Sequence, residues 1–178
     1  TANDQVTLTS SGALIDGNGT TTNITAGTAT LSGTAIGTST DAIETTLATL
    51  NATSTSGSIL ITESNAITLG TLLALGTEAD ISITNTTGDM TIGTITANNQ
   101  VTLTASSGAI IDGNGTTTNI IAKTTMLSGT AIGMAEDPIE IMAPNILHKN
   151  VPTEKVFIKN LDPAHLERER RTKQEGQH

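Results

Sequence analysis

Residues 97–140 read ANNQVTLTASSGAIIDGNGTTTNIIAKTTMLSGTAIGMAEDPIE, and residues 2–44 read ANDQVTLTSSGALIDGNGTTTNITAGTATLSGTAIGTSTDAIE. The two stretches align with one extra residue near Ala105, and most positions are identical. Asp16 matches Asp112, Asn23 matches Asn119, Gly37 matches Gly133 and Glu44 matches Glu140. An offset of about 95 residues is too long for a single solenoid coil, so this is a higher-order repeat containing several coils.

Shorter echoes run between the two copies. LATLNATSTSGSILI, ADISITNTTGDMTIGTI and QVTLTASSGAIIDG share one plan: alternating apolar and small polar residues, a Ser/Thr/Gly turn, then another apolar pair. Val101 and Leu103 alternate with Thr102 and Thr104, the period-two signature of a half-buried strand, and Ile81/Ile83 and Val6/Leu8 do the same. Corresponding strands recur at roughly 20 to 25 residues, within the range of solenoid repeats. Threonine is β-branched and suits a pleated surface better than a helix, and recurrent glycine would break a helix repeatedly. A β-sandwich also predicts short strands, but gives no reason for near-identical segments to recur. In a solenoid like residues sit above like residues. The pattern therefore predicts an all-β parallel β-solenoid of roughly six or seven coils, a rod of order 30 Å.

Composition agrees. The sole aromatic residue is Phe157, and tryptophan, tyrosine and cysteine are absent. Aromatic rings usually supply much of a thick core; here Ile, Leu, Val and Ala must fill a narrow one. Absent cysteines exclude a disulfide framework, a thiolate metal site and a cysteine nucleophile. From Thr1 to Leu147 there are 12 acidic residues and one base, Lys123, a charge of −11; His148 to His178 carries five acids and seven bases, a charge of +2. An acidic body argues against nucleic acid and against docking on anionic lipid. No apolar run approaches the ~20 residues that span a bilayer. The chain begins at Thr1 with no signal peptide, and reads as a processed chain or an excised segment.

At VTLTSSGALIDGNGTTTNITA (6–26) and SGTAIGTSTDAIETTLATLNATSTSGSILITE (32–63), the chain resembles the repeat region of filamentous haemagglutinin-type exoproteins. These are large adhesins exported by two-partner secretion in Gram-negative bacteria. AIGTSTDAIE (35–44) and AIGMAEDPIE (131–140) are similar to segments typical of such repeats. The resemblance covers about residues 1–146. It implies a right-handed parallel β-helix, export to the cell surface, and a role as stalk or adhesive fibre. The implied partners are a host or neighbouring-cell receptor or glycan, or other copies of the chain. The amino-terminal secretion domain of such proteins is not visible, so the chain reads as a piece of something longer.

IDGNG occurs at 15–19 and 111–115, and Asp16, Asn18, Asp112 and Asn114 offer hard oxygens to calcium. Counting each Asp as position one, an EF-hand needs a bidentate Glu at position twelve, where this chain has Gly27 and Lys123. A corner, in which Gly and Asn adopt left-handed dihedrals and Asp caps local amides, is the preferred reading. Thr7/Thr9 and Thr102/Thr104 suggest an ice-binding array, but Ser82/Thr84 and Thr49/Asn51 in the matching register break it. Asp41, Glu44, Asp137 and Glu140 recur once per long repeat, as surface turns would. With no Arg, His or aromatic residue before His148, they point away from a polysaccharide-active enzyme using paired carboxylates. No catalytic residue, cofactor or metal is expected. The sequons at Asn23, Asn51 and Asn85 arise readily in a threonine-rich chain.

From His148 the Thr/Gly pattern stops, giving domain boundaries of 1–147 and 148–178. EKVFIKNL (154–161) predicts one strand with Val156 and Ile158 on one face. Asp162-Pro163 reads as a helix start, and Glu167 and Arg171 are spaced for an i,i+4 pair. The tail is expected to be partly ordered, or to cap the solenoid through Val156, Phe157 and Ile158. His148, His165 and His178 are too scattered to suggest a metal site.

Overall fold

The computed structural model describes residues 1–175, a parallel β-solenoid of about seven turns with one short carboxy-terminal helix. In chain order the strands are β1 (Gln5–Thr9), β2 (Ile24–Gly33), β3 (Ile43–Ser54), β4 (Ile59–Glu63), β5 (Ile67–Ala74), β6 (Ile81–Asn85) and β7 (Met90–Ala97). They continue as β8 (Gln100–Ala105), β9 (Ile110–Asp112), β10 (Ile120–Ile121), β11 (Thr124–Ser128), β12 (Ile139–Met142), β13 (Asn145–Lys149) and β14 (Ile158–Asn160), before α1 (Pro163–Glu175). They form one fourteen-stranded sheet that wraps around the core. One stack runs β1, β2, β3, β5, β7, β10, β12, β14, and a second runs β4, β6, β8, β11, β13, joined to the first through the long β3. At ~4.8 Å per coil, seven coils span about 34 Å.

The alternation seen in the sequence becomes ladders along the axis. Ile61, Ile83, Leu103 and Leu127 stand in register and are buried, as are Leu50, Leu69 and Ile92. Thr62, Thr84 and Thr104 form the intervening ladder. One ladder carries a flaw. Thr125 occupies the core position in register with Val101 and Ile146, is fully buried, and its hydroxyl has no partner.

The Ser/Thr/Gly turns stack equally closely. A Cβ on Gly108 would stand 2.0 Å from the Gly88 carbonyl oxygen, and one on Gly76 would stand 1.9 Å from that of Ser56. Only glycine permits the backbones of successive coils to approach so far. At one corner a carboxylate is fully buried. Glu63 accepts hydrogen bonds from the amides of Leu47 (3.0 Å), Ser64 (3.0 Å) and Asn65 (3.2 Å) and from the Thr45 hydroxyl (2.5 Å). These four donors replace the lost hydration of the charge.

The composition boundary at His148 is not a boundary in the stack. β13 crosses it, Val156 bridges to Ile132, and β14 pairs with β12. The strand expected at 154–161 is therefore shorter, and it adds a last partial coil. α1 starts as expected, with the Asp162 carboxylate accepting from the amides of Ala164 (3.0 Å) and His165 (3.2 Å). Arg171 lies 3.5 Å from Glu167. His178 lies outside the described residues.

Ladder packing predicts opposite outcomes for two substitutions. Thr125→Val should stabilise by about 1 kcal/mol, since it removes an unpaired buried hydroxyl while keeping the shape. Ile83→Ala should cost about 2–5 kcal/mol. Urea unfolding followed by circular dichroism measures both; destabilisation by Thr125→Val would contradict the register.

Candidate functional site

Two local insertions break the even coils, and both occur twice. Ile92 and Ile95 are separated by two residues, whereas their register partners Asp112 and Ile120 are separated by seven. Val156 and Ile158 are separated by one residue, their partners Ile132 and Ile139 by six. In the first copy, Ile36 and Ile43 stand against Ile59 and Ile61 in the same way. Each copy thus carries an IDGNG loop on one coil and, on the next, a tight turn closed by paired backbone bonds, Thr38 with Asp41 or Met134 with Asp137. Glycines with left-handed backbone make these excursions possible: Gly19, Gly37, Gly115 and Gly133 have φ between 62° and 71°.

One asparagine ties each loop to the next coil. The Asn23 side chain accepts from the Glu44 amide (2.8 Å) and donates to the Asp16 carboxylate. Asn119 repeats this with the Glu140 amide (2.8 Å) and the Asp112 carboxylate, and also donates to the Ile92 carbonyl (3.2 Å). The first oxygen of each Asp also accepts from an amide two residues on, Asn18 or Asn114, at 3.0 Å. The corner expected at IDGNG is present. Asn114 is engaged at both ends, accepting from Asn119 (2.9 Å) and donating to the Gly93 carbonyl (3.0 Å). The Asn18 amide lies within hydrogen-bonding distance of Asn23 and Asp16. Of the four suggested calcium ligands, the two asparagines are therefore spent on holding the loop.

Asp41 and Asp137 sit half-buried at the tight turns, as expected of turn residues, but Glu140 does not. Glu140 is only 2% exposed, and Asp16 and Asp112 are each 7% exposed. In both copies the same two oxygens are buried without a hydrogen-bond partner: Oδ2 of Asp16 and Oε2 of Glu44, Oδ2 of Asp112 and Oε2 of Glu140. The IDGNG loop covers a glutamate of the next coil, which no local pattern at Glu140 announces. Burial, then the charges of Asp16 and Asp41, pushes the Glu44 carboxyl above its ordinary range. Burial and the adjacent Asp112 do the same to Asp137. The Asn23 hydrogen bond holds Asp16 below its ordinary range. A hollow of about 280 Å³ opens beside the first cluster, lined by Thr20, Thr38, Thr40, Asp41, Glu44 and Thr62 among others. Lys159 lies 3.9 Å from Glu140 at the second cluster.

His148 and His165 both line a wedge of about 810 Å³ between α1 and the last coil, and His165 is 3.4 Å from Glu169. Among the described residues no three His, Asp or Glu side chains converge as a ready-made metal cage, and no helix is long and apolar enough to cross a membrane. Compared with protein-family models, curated proteins and solved structures, the chain has no match.

The carboxyl environments fix a pH dependence. Glu44 and Asp137 bind protons at higher pH when folded than when unfolded, so their ionisation at neutrality opposes folding. That opposition is relieved as pH falls through their raised values into the ordinary carboxylate range. Asp16 acts in the opposite sense, and its contribution is lost only below the ordinary aspartate range. In chelator-treated buffer the urea midpoint should rise as pH falls from neutrality towards the ordinary carboxylate range, and fall again below the ordinary aspartate range. Glu44→Gln should flatten the first change. A midpoint that falls steadily from pH 7.5 would contradict the assignment.

Proposed function

We propose that this chain is a structural, non-catalytic β-solenoid segment of an exported bacterial surface protein that presents an extended adhesive face. The single observation that carries the reading is the in-register stacking of similarly patterned coils on an aliphatic core. Repetition of that kind lengthens a rod and multiplies a hydroxyl-rich surface, whereas a catalytic site needs unlike groups brought to one place. The resemblance of residues 1–146 to haemagglutinin-type repeats supports export and adhesion. The acidic body argues against nucleic acid and anionic lipid as partners.

The test is direct. Labelled chain should bind epithelial or bacterial cell surfaces saturably and be displaced by excess unlabelled chain. It should release no product from acidic polysaccharides. Absent saturable binding would remove the adhesive role; turnover that vanishes in Asp41→Ala or Asp137→Ala would remove the non-catalytic one.

A second reading, self-assembly into an extracellular filament, is favoured by the first coil. β1 is largely exposed, with Leu8 at 40%, while its counterpart β8 is covered by β6 and its Leu103 is fully buried. The unpaired edge of β1 can take a further coil, from a preceding stretch of the same protein or from another copy. Electron microscopy should then show rods longer than ~34 Å that shorten when Thr7→Pro blocks the edge. Single short rods at every concentration would end this reading.

A further inference from the structure

The paired loops hold an unbalanced set of charges. In the first copy Asn23 ties the Asp16 carboxylate to the Glu44 amide, and the charges of Asp16 and Asp41 both act on the Glu44 carboxyl. The nearest base in sequence, Lys123, is paired with Glu78 at 3.1 Å. Asp16 is more than nine-tenths buried, and its Oδ2, like Glu44 Oε2, is closed off from solvent and makes no hydrogen bond. A buried anionic oxygen without a hydrogen bond is costly unless a positive charge or a proton meets it. The same pair of atoms is orphaned in the second copy at Asp112 and Glu140, either side of Asn119, although Met134, Ala135 and Glu136 replace Thr38, Ser39 and Thr40 in the turn. The unpaired atoms thus persist through these changes in the turn, in loops whose sequence is shared.

We propose that each nested loop pair binds one divalent cation of calcium type, held by Asp16 and Glu44 in the first copy and by Asp112 and Glu140 in the second. The chemistry selects the class. The groups are hard oxygens only, with no imidazole or thiolate, as calcium prefers and zinc does not. Two carboxylates leave most of the six to eight calcium positions to carbonyls, hydroxyls and water. The threonine-lined hollow beside Asp41 and Glu44, about 280 Å³, has room for several waters. The asparagines do not ligate; they fix the loops against the next coil. The two copies differ in strength. Lys159 already offers a positive charge to Glu140, whereas among the described residues no ion pair is made to Asp16 or Glu44, so the first site is the tighter one.

The experiment is a calcium titration of the full chain, stripped of metal at pH 7.5, by calorimetry and by thermal unfolding followed by circular dichroism. Two binding events are expected, the tighter with Kd at or below about 1 mM, and 10 mM calcium should raise Tm by about 3 °C or more. Glu44→Gln should remove the tighter event, Glu140→Gln the weaker. Glu78→Gln, which makes the same charge change away from both loops, should leave both intact. No heat and no Tm change up to 10 mM would overturn the proposal, and that arm needs no variant. So would a response that persists in the Glu44→Gln/Glu140→Gln chain. A Tm that rises on acidification with no calcium response at any pH would show that a shared proton fills the gap, and would also overturn it.

Discussion

Everything in this molecule depends on the backbone hydrogen bonds between successive coils. One coil encloses a space a few aliphatic side chains across and cannot bury them alone. Parallel pairing at a fixed register sets Ile61 on Ile83 on Leu103 and thereby builds a continuous interior. The same register sets glycine beneath glycine at the turns, Gly88 under Gly108. A one-residue slip would drive threonines inward and aliphatic residues into water. Register is therefore specified twice, by the core and by the turns.

Insertions are tolerated only where they leave the ladder and return to it. The IDGNG loop and the tight turn each add five residues between positions that remain in register. Their backbone groups must then find other partners, and Asn23 and Asn119 supply them by pairing with Glu44 and Glu140 on the next coil. Covering the glutamates is a consequence of that nesting. The carboxyl clusters are thus products of the fold's own accounting of hydrogen bonds, and they are the places where the rod departs from a uniform surface.

The fold was legible because its cause is periodic. Val101/Leu103 and Ile81/Ile83 show the alternation, and the two long copies show the stacking. The corner at IDGNG was legible through Gly19 and Gly115. What was not legible arises from contacts between coils. Glu140 looks like any acidic turn residue until the preceding coil's loop is laid over it. Glu63 occurs once, and its burial depends on Thr45 and Leu47 of a neighbouring coil. Leu8 has the alternation of a buried residue but lies on a terminal strand. The change of composition at His148 suggested a break, yet β13 and β14 continue the stack because pairing needs only backbone groups and an occasional apolar side chain such as Ile158.

The chain has no cysteine, so engineered thiols can measure the register directly. Ser82 and Thr102 are register partners on adjacent coils, at a spacing a disulfide can bridge. Under mild oxidation, Ser82→Cys/Thr102→Cys should form an intramolecular disulfide rapidly and without loss of structure, whereas Ser82→Cys/Leu103→Cys, whose side chains point to opposite faces, should not. Equal crosslinking of both pairs, or of neither, would contradict parallel in-register stacking.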